Sequence, residues 1–279
     1  MERIRNGSDG PGFLCHGKYL GGGGQARNTG LSLCDHHTEY LLRTAGLKEA
    51  MHVLDVGCGT GEVSLCAARI VGPSGRVLGV DMEPGVLERA RDNVAASSFG
   101  NVAFEQGDLS DLRMSGLFDA VVGRLILIHL DDPSAVVKEL TRLVRPGGVI
   151  TFQDFNVSRT RAVPDVPLVT ETVEWISAAL REGGRNPDMG EQLAHALRLS
   201  GLPEPRVAVA VPTGGPDSAA VTLIAESARS LMPVMERGGI TTAREADLDT
   251  LRARLSRACA EVQATVYVPE LVAAWVELH

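Results

Sequence analysis

Between residues 51 and 155 short apolar runs alternate with amphipathic ones, and that alternation leaves few folds open. MHVLDVG (51–57), GRVLGVD (75–81), NVAFEQGD (101–108), FDAVVGRLIL (118–127) and GVITFQDF (148–155) read as strands. EVSLCAARIV, which ends at Gly72-Pro73, VLERARDNVAA after Pro84 and SAVVKELTRLV after Pro133 read as helices. Pro84 and Pro133 suit a first helical turn, where an N–H has no partner to lose. Strands this apolar must be covered on both faces, which predicts a parallel sheet between two helical layers. With 44% hydrophobic and 22% charged residues the chain can fill that core.

The alternation stops near residue 155. VPLVTETVEWISAALREGG and DMGEQLAHALRLSG read as two further helices. RVAVAVP (206–212) and TVYVP (265–269) read as late strands that close the sheet, with helical patterns over SAAVTLIAESARSLMPVME and TAREADLDTLRARLSRACAEV between them. At the other end GGGG (21–24) rules out a helix interior, so residues 1 to about 30 read as an arm or flap. A helical pattern follows from Asp35 and stops at Gly46. The expected organisation is a flap and helix over 1–45, a ligand-binding core over 46–155, a helical lid and return helix over 156–205, and over 206–279 the last two strands with a helical insertion.

Within the core, VLDVGCGTGEVSL (53–65) runs from a strand through three glycines into a helix. A dinucleotide fingerprint needs Gly-x-Gly-x-x-Gly, but here Gly57, Gly59 and Gly61 are spaced Gly-x-Gly-x-Gly, and Glu62 holds the place that must be small. Asp55, at the strand end, would repel a pyrophosphate and suits a ligand with an ammonium or sulfonium charge. Asp81, at the next strand end, is placed to accept from ribose hydroxyls. Asp108, after the third strand, can accept from an adenine amino group while Leu109 packs on the ring. Three carboxylates around one crevice favour a nucleoside with a cationic amino-acid tail.

LDVGCGTG, VDMEPGVLERAR, EQGDLSDL, FDAVVGRLILIHLDDP and RPGGVITFQDF, in that order, resemble the successive motifs of class I S-adenosylmethionine-dependent methyltransferases. More narrowly, Tyr19-Leu20-Gly21, GRLILIHLDDP and YVPELVAAW resemble a branch of bacterial small-molecule methyltransferases; GGGGQARNTG departs from that branch's charged helical flap. The resemblance implies a Rossmann-like α/β fold, a seven-stranded, mostly parallel sheet with helices on both faces and helical lid insertions. It also implies S-adenosylmethionine as cofactor. Asp55 and Gly57 would contact the amino group of its methionine moiety, and Gly59 would shape the turn. Asp81 would hold the ribose, Met82 would pack on adenine, and Asp108 with Leu109 would take the adenine edge. Arg124 would pair with the carboxylate of the tail, or else is a surface or capping arginine.

Methyl transfer requires alignment, exclusion of water and, for some acceptors, a base. His129, just past the fourth strand, is either that base or a histidine bonded to backbone at a helix entry. Gln153 and Asp154 end the fifth strand on the acceptor side, with a capping role open for Asp154. Glu174 and Trp175 lie in the expected lid over 160–185, and Tyr19 can close over the sulfonium from the flap. His16, His36 and His37 lack the carboxylate spacing of a metal site, so no metal is expected.

A formal net charge of −8, from 35 acidic and 27 basic residues, argues against a nucleic-acid or anionic-membrane partner. Five unpaired-looking cysteines, no signal-peptide core and no apolar run of spanning length fit a cytoplasmic protein. The flap and inserted helices offer surface for a homodimer, although no heptad repeat specifies one. The acceptor is expected to be a small molecule, a hydrophobic specialised metabolite of a bacterium methylated on oxygen, carbon or nitrogen. The competing class is a protein that binds S-adenosylmethionine without transferring its methyl, as sensor or scaffold.

Overall fold

The computed structural model describes residues 32–109, 112, 114 and 116–279. It opens with helix α1 (Ser32–Thr44), which ends in a tight reversal: Gly46 has a φ of +110°, and the Leu47 amide reaches back to the Leu42 carbonyl at 3.1 Å. Then follow β1 (His52–Val56), α2 (Glu62–Val71), β2 (Arg76–Asp81), α3 (Pro84–Ala95), β3 (Val102–Gln106), β4 (Phe118–Arg124), α4 (Pro133–Leu140) and β5 (Val144–Asn156). The second half adds β6 (Arg161–Val163), α5 (Pro167–Glu182), α6 (Met189–Leu199), β7 (Arg206–Ala210), β8 (Thr213–Gly214), α7 (Ala219–Arg237), α8 (Leu251–Glu261), β9 (Thr265–Tyr267) and β10 (Glu270–Glu277).

Seven strands form one sheet in the order β3-β2-β1-β4-β5-β10-β7, and β10 alone runs against its neighbours. Side chains alternate between two cores, as a pleated sheet dictates. Val53, Ala120, Val122, Phe155 and Ala273 face α1, α2, α5, α7 and α8, whereas Leu54, Val121, Ile150, Phe152 and Ala274 face α4 and α6. Helix α3 packs separately, through Leu87 and Ala90, on Phe104 of β3. The expected sheet with helices on both faces is present.

Two details differ from the expectation. The segment 265–269 does not close the sheet: Thr265–Tyr267 pairs antiparallel with β6 and β8 in a separate three-stranded sheet, and the closing strand is β10. Strand β10 lies between β5 and β7 and is buried along nearly its whole length, so ELVAAWVE lacks the polar alternation that marks a half-exposed strand. The helical pattern expected from Thr242 also starts late, because Asp247 takes a left-handed φ of +45°. Glu245 meanwhile accepts both the amide and the hydroxyl of Thr242, closing an isolated turn, and α8 begins only at Leu251.

Trp275 lies in β10 and is buried in the larger core, as an anchor should be. The expected lid segment folds as β6 and α5, and α5 packs its Val169, Val173, Ile176 and Leu180 into the same core as α7. Arg161 of β6 stacks its guanidinium 4.4 Å from the ring centre of Tyr267, tying the small sheet together.

Candidate functional site

The carboxyl ends of β1, β2, β4 and β5 converge on one edge of the sheet, where a parallel sheet places its ligands. At the centre is the glycine turn. Gly57, Gly59 and Gly61 all have positive φ, at +66°, +54° and +86°, a region costly for other residues. Two of them are also short of room. A Cβ on Gly57 would fall 2.5 Å from the Ile126 side chain, and one on Gly61 would fall 2.9 Å from the Phe104 ring. A Cβ on Gly59 would meet nothing within 4 Å, so the chain leaves space over the middle of the turn.

Asp55 sits beneath this turn, 1% exposed. Its Oδ2 accepts from the Ser64 hydroxyl at 2.6 Å, while Oδ1 is buried without a partner. Burial, only partly offset by Ser64 and the charge of Arg124, pushes its carboxyl up to about 7. A buried acceptor with an empty lone pair is costly unless a donor arrives. Asp81 is better provided for: Oδ2 accepts from the Gly59 amide at 2.9 Å and Oδ1 from the Glu83 amide at 3.0 Å, leaving further lone pairs for hydroxyl donors.

Beyond Asp81 the Met82 side chain is 57% exposed, an apolar surface held in the open. Its carbonyl accepts from Gln106 of β3 at 3.1 Å, which fixes the β2 and β3 tips together. Asp108 is exposed and Leu109 is half-buried against the core that Leu54 and Val80 share. These positions fit a nucleoside: carboxylates for hydroxyl and amino donors, and an exposed thioether for a flat ring.

On the other side α1 closes over the tips of β4 and β5. Arg124 donates to the Thr38 hydroxyl at 2.8 Å, and Gln153 donates its amide to the Thr38 carbonyl at 3.4 Å while its Oε1 is buried without a partner. The chain then turns through Leu125 at φ +56° into a 3₁₀ turn, Leu127–His129. Asp154, fully buried, accepts from the Ile128 amide at 3.3 Å and the Phe155 amide at 3.0 Å, so it braces this turn from below. Burial outweighs those two bonds and pushes its carboxyl up to about 7. His129 has its Nδ1 buried without a partner; burial, reinforced by the charge of Arg185, holds its imidazole down at about 4 and therefore neutral.

Of the residues expected on the acceptor side, the fold brings His129, Gln153 and Asp154 to this edge. Trp175 is half-buried against the core beside α7, and Glu174 is exposed on α5. Tyr19, His16 and the glycine-rich arm lie outside the described residues. His36 is exposed and His37 half-buried, and among the described residues no group of three metal-binding side chains occurs. Ser64, Thr38 and Arg185 take part without having been singled out in the sequence. Ser64 carried a usable signal, because it is three residues past the last glycine of the turn, in the first turn of α2.

Comparison with known proteins identifies the family of the chain. The sequence model of a methyltransferase domain matches residues 47–203. An arsenite methyltransferase of Halobacterium salinarum is 35% identical over 114 residues, covering 40% of this chain and 29% of that protein. A demethylmenaquinone methyltransferase of Symbiobacterium thermophilum is 34% identical over 114 residues, covering 40% of this chain and 45% of that protein. The chain thus spans less than half the length of these curated relatives. Among solved structures, the Bacillus subtilis YcgJ protein superposes with a TM-score of 0.55 at 20% identity, covering 88% of this chain and 99% of its own. No helix of the described residues is long and apolar enough to cross a membrane.

Proposed function

Since the chain belongs to the class I S-adenosylmethionine-dependent methyltransferases, we propose that it transfers a methyl group to a small-molecule acceptor. The acceptor is a hydrophobic metabolite of bacterial specialised metabolism, not nucleic acid, and the reaction runs in the cytoplasm. The single observation that carries this reading is the buried, unpartnered Oδ1 of Asp55 beside an open glycine turn. That atom calls for a cationic donor, and the amino group of the cofactor's methionine tail is one.

S-adenosylmethionine, when bound, supplies a methyl group activated by a sulfonium. The chain's own groups do the rest. Asp55 takes the ammonium, Gly57 and Gly59 allow close backbone approach, and Arg124 pairs with the tail carboxylate. Asp81 accepts from the ribose hydroxyls, and Met82, Asp108 and Leu109 surround the adenine. His129, neutral and desolvated, receives a proton from the acceptor, while Gln153 offers its free Oε1 to polar groups nearby. Helix α5, with Glu174 and Trp175, screens the acceptor from water, and the chain assembles as a homodimer.

Calorimetry with S-adenosylhomocysteine, followed by transfer of labelled methyl from S-adenosylmethionine into bacterial metabolite extracts, tests the reading. Saturable binding that Asp55→Ala abolishes, plus a labelled small product, is expected. Binding without a labelled product would favour a sensor or scaffold, and no binding would overturn the assignment.

A further inference from the structure

We infer that Gln153 is a ligand of the cofactor's amino-acid tail, its free carboxamide oxygen accepting from the tail ammonium beside Asp55. This assignment rests on the methyl-transfer reading above and adds a residue to its cofactor site. Gln153 and Asp154 are neighbours on β5, so the pleat turns them to opposite faces of the sheet. Asp154 shares the face of Phe152, toward α4 and α6, and braces the turn whose Leu127 and Ile128 pack in that same core. Gln153 shares the face of Val149 and Phe155, toward α1 and α2. Asp55 and Arg124 are on that face too, two residues past Val53 and Val122.

The strand register brings these three close. Arg124 and Gln153 are paired across β4 and β5, and Asp55 pairs with Val122, two residues before Arg124. With strands about 4.8 Å apart and a rise of about 3.3 Å per residue, both acceptors start within about 8 Å of the Arg124 Cα. Thr38 of α1 ties the upper two together: Arg124 donates to its hydroxyl at 2.8 Å and Gln153 to its carbonyl at 3.4 Å. A carbonyl can only accept, so it takes the nitrogen end of the Gln153 carboxamide and leaves the oxygen end over. Gln153 is 2% exposed, and among the described residues its Oε1 has no hydrogen-bond partner; the same holds for Asp55 Oδ1. The other neighbour of Gln153 in its row is Ala273 of β10, which has no polar side-chain atom to offer.

Two unmet buried acceptors about one guanidinium match a zwitterion. The guanidinium takes a carboxylate, and the acceptors take an ammonium, which has three N–H bonds to give. The neutrality of Gln153 matters here. A carboxylate at this place would pair with Arg124 and compete with the ligand for it. A carboxamide accepts from the ammonium without that competition.

The test is calorimetry on the full chain with four probes. These are S-adenosylhomocysteine, its analogue without the amino group, its analogue without the carboxylate, and 5′-methylthioadenosine, which has no amino-acid tail. Gln153→Met keeps the length of the side chain and loses the acceptor. It should weaken S-adenosylhomocysteine and the carboxylate-free analogue by about tenfold, and leave the amino-free analogue and methylthioadenosine within about twofold. Gln153→Glu keeps an acceptor but engages Arg124. It should weaken the amino-free analogue by about tenfold and hold the carboxylate-free analogue at wild-type affinity or better. Methylthioadenosine reports at the same time that each variant is folded with its nucleoside site intact. Equal loss for all four probes would reduce Gln153 to holding α1 on the sheet and overturn the assignment. So would unchanged affinities in both variants, or a loss in Gln153→Met that the amino-free analogue shares. Failure of the wild type to bind S-adenosylhomocysteine would count instead against the cofactor reading.

Discussion

The Asp81 carboxylate reaches across from the end of β2 to accept the Gly59 amide at 2.9 Å, and so holds the glycine turn of the neighbouring strand. The same residue that should meet the ribose therefore also shapes the ground beneath the methionine tail. Asp81→Ala should cost more than one ligand contact, lowering affinity for S-adenosylhomocysteine by about tenfold to a hundredfold, or roughly 1.4–2.8 kcal/mol. Asp81→Asn keeps one accepting oxygen and can serve Gly59 or Glu83 but not both, so its loss should be intermediate. Calorimetry checks both, and equal affinity in all three proteins would remove the β2 tip from the site.

Asp55 adds a pH dependence whose sign can be worked out. Its folded carboxyl stands at about 7, above the ordinary 3.8, so ionising it in the empty protein costs stability. That cost is absent below the ordinary value and grows as pH rises through the folded one. A bound ammonium favours the ionised form, so affinity for S-adenosylhomocysteine should rise between about pH 6 and about pH 8 while the ligand-free melting temperature falls. Asp154 is also raised to about 7 and contributes to the melting trend. Asp55→Asn should accordingly flatten the affinity curve and leave the share of Asp154 in the melting curve. An affinity curve equally steep in Asp55→Asn would place the titrating group elsewhere.

The strand tips were legible in the sequence because each ends an apolar run at a turn-forming glycine or an acid, as with Asp55, Asp81 and Gly57. A strand buried on both faces and one exposed on one face leave different marks, which is why the alternating TVYVP looked more strand-like than ELVAAWVE although only the latter enters the large sheet. The acceptor side was less legible. Thr38 meets Arg124 across 86 positions and Arg185 meets Ile128 across 57, contacts set by how α1 and the α5–α6 connection drape over the sheet. No local pattern encodes such draping.

Asp154 was expected either to line the acceptor side or to cap a following segment, and the fold has it bracing the preceding turn. Asp154→Ala would leave the Ile128 amide buried without an acceptor, and the predicted loss of stability is about 1–3 kcal/mol in urea denaturation. Turnover should fall further than stability explains, because His129 is the last residue of that turn. Asp154→Asn retains one accepting oxygen and should recover much of both. If Asp154→Ala lowered stability but left turnover of the folded fraction intact, the position of His129 would not depend on this brace.

Acid should act on His129 in the opposite direction to its effect on Asp55. The folded imidazole is held at about 4, below the ordinary 6.5, so the folded state resists its protonation. Its contribution to stability is full above the ordinary value and is lost as pH falls through the folded one. The melting temperature should therefore drop between about pH 6.5 and about pH 4, and His129→Gln should remove part of that drop. An identical acid profile in the variant would mean that His129 is already open to water.

Thr38 links α1 to the site through two different atoms, its hydroxyl to Arg124 and its carbonyl to Gln153. Thr38→Val keeps the shape and the carbonyl but removes the hydroxyl, so Gln153 keeps its partner while Arg124 loses one. The residue is fully buried, and the variant leaves a guanidinium N–H facing a methyl group, at a cost of about 1–2 kcal/mol in urea denaturation. If Arg124 serves the tail carboxylate, bound ligand should offset the loss. The stability gap between Thr38→Val and wild type should then narrow when S-adenosylhomocysteine is added in excess. Adenosine, which has no such carboxylate, should not narrow it. A gap that stays open with both ligands would confine Arg124 to holding α1 on the sheet.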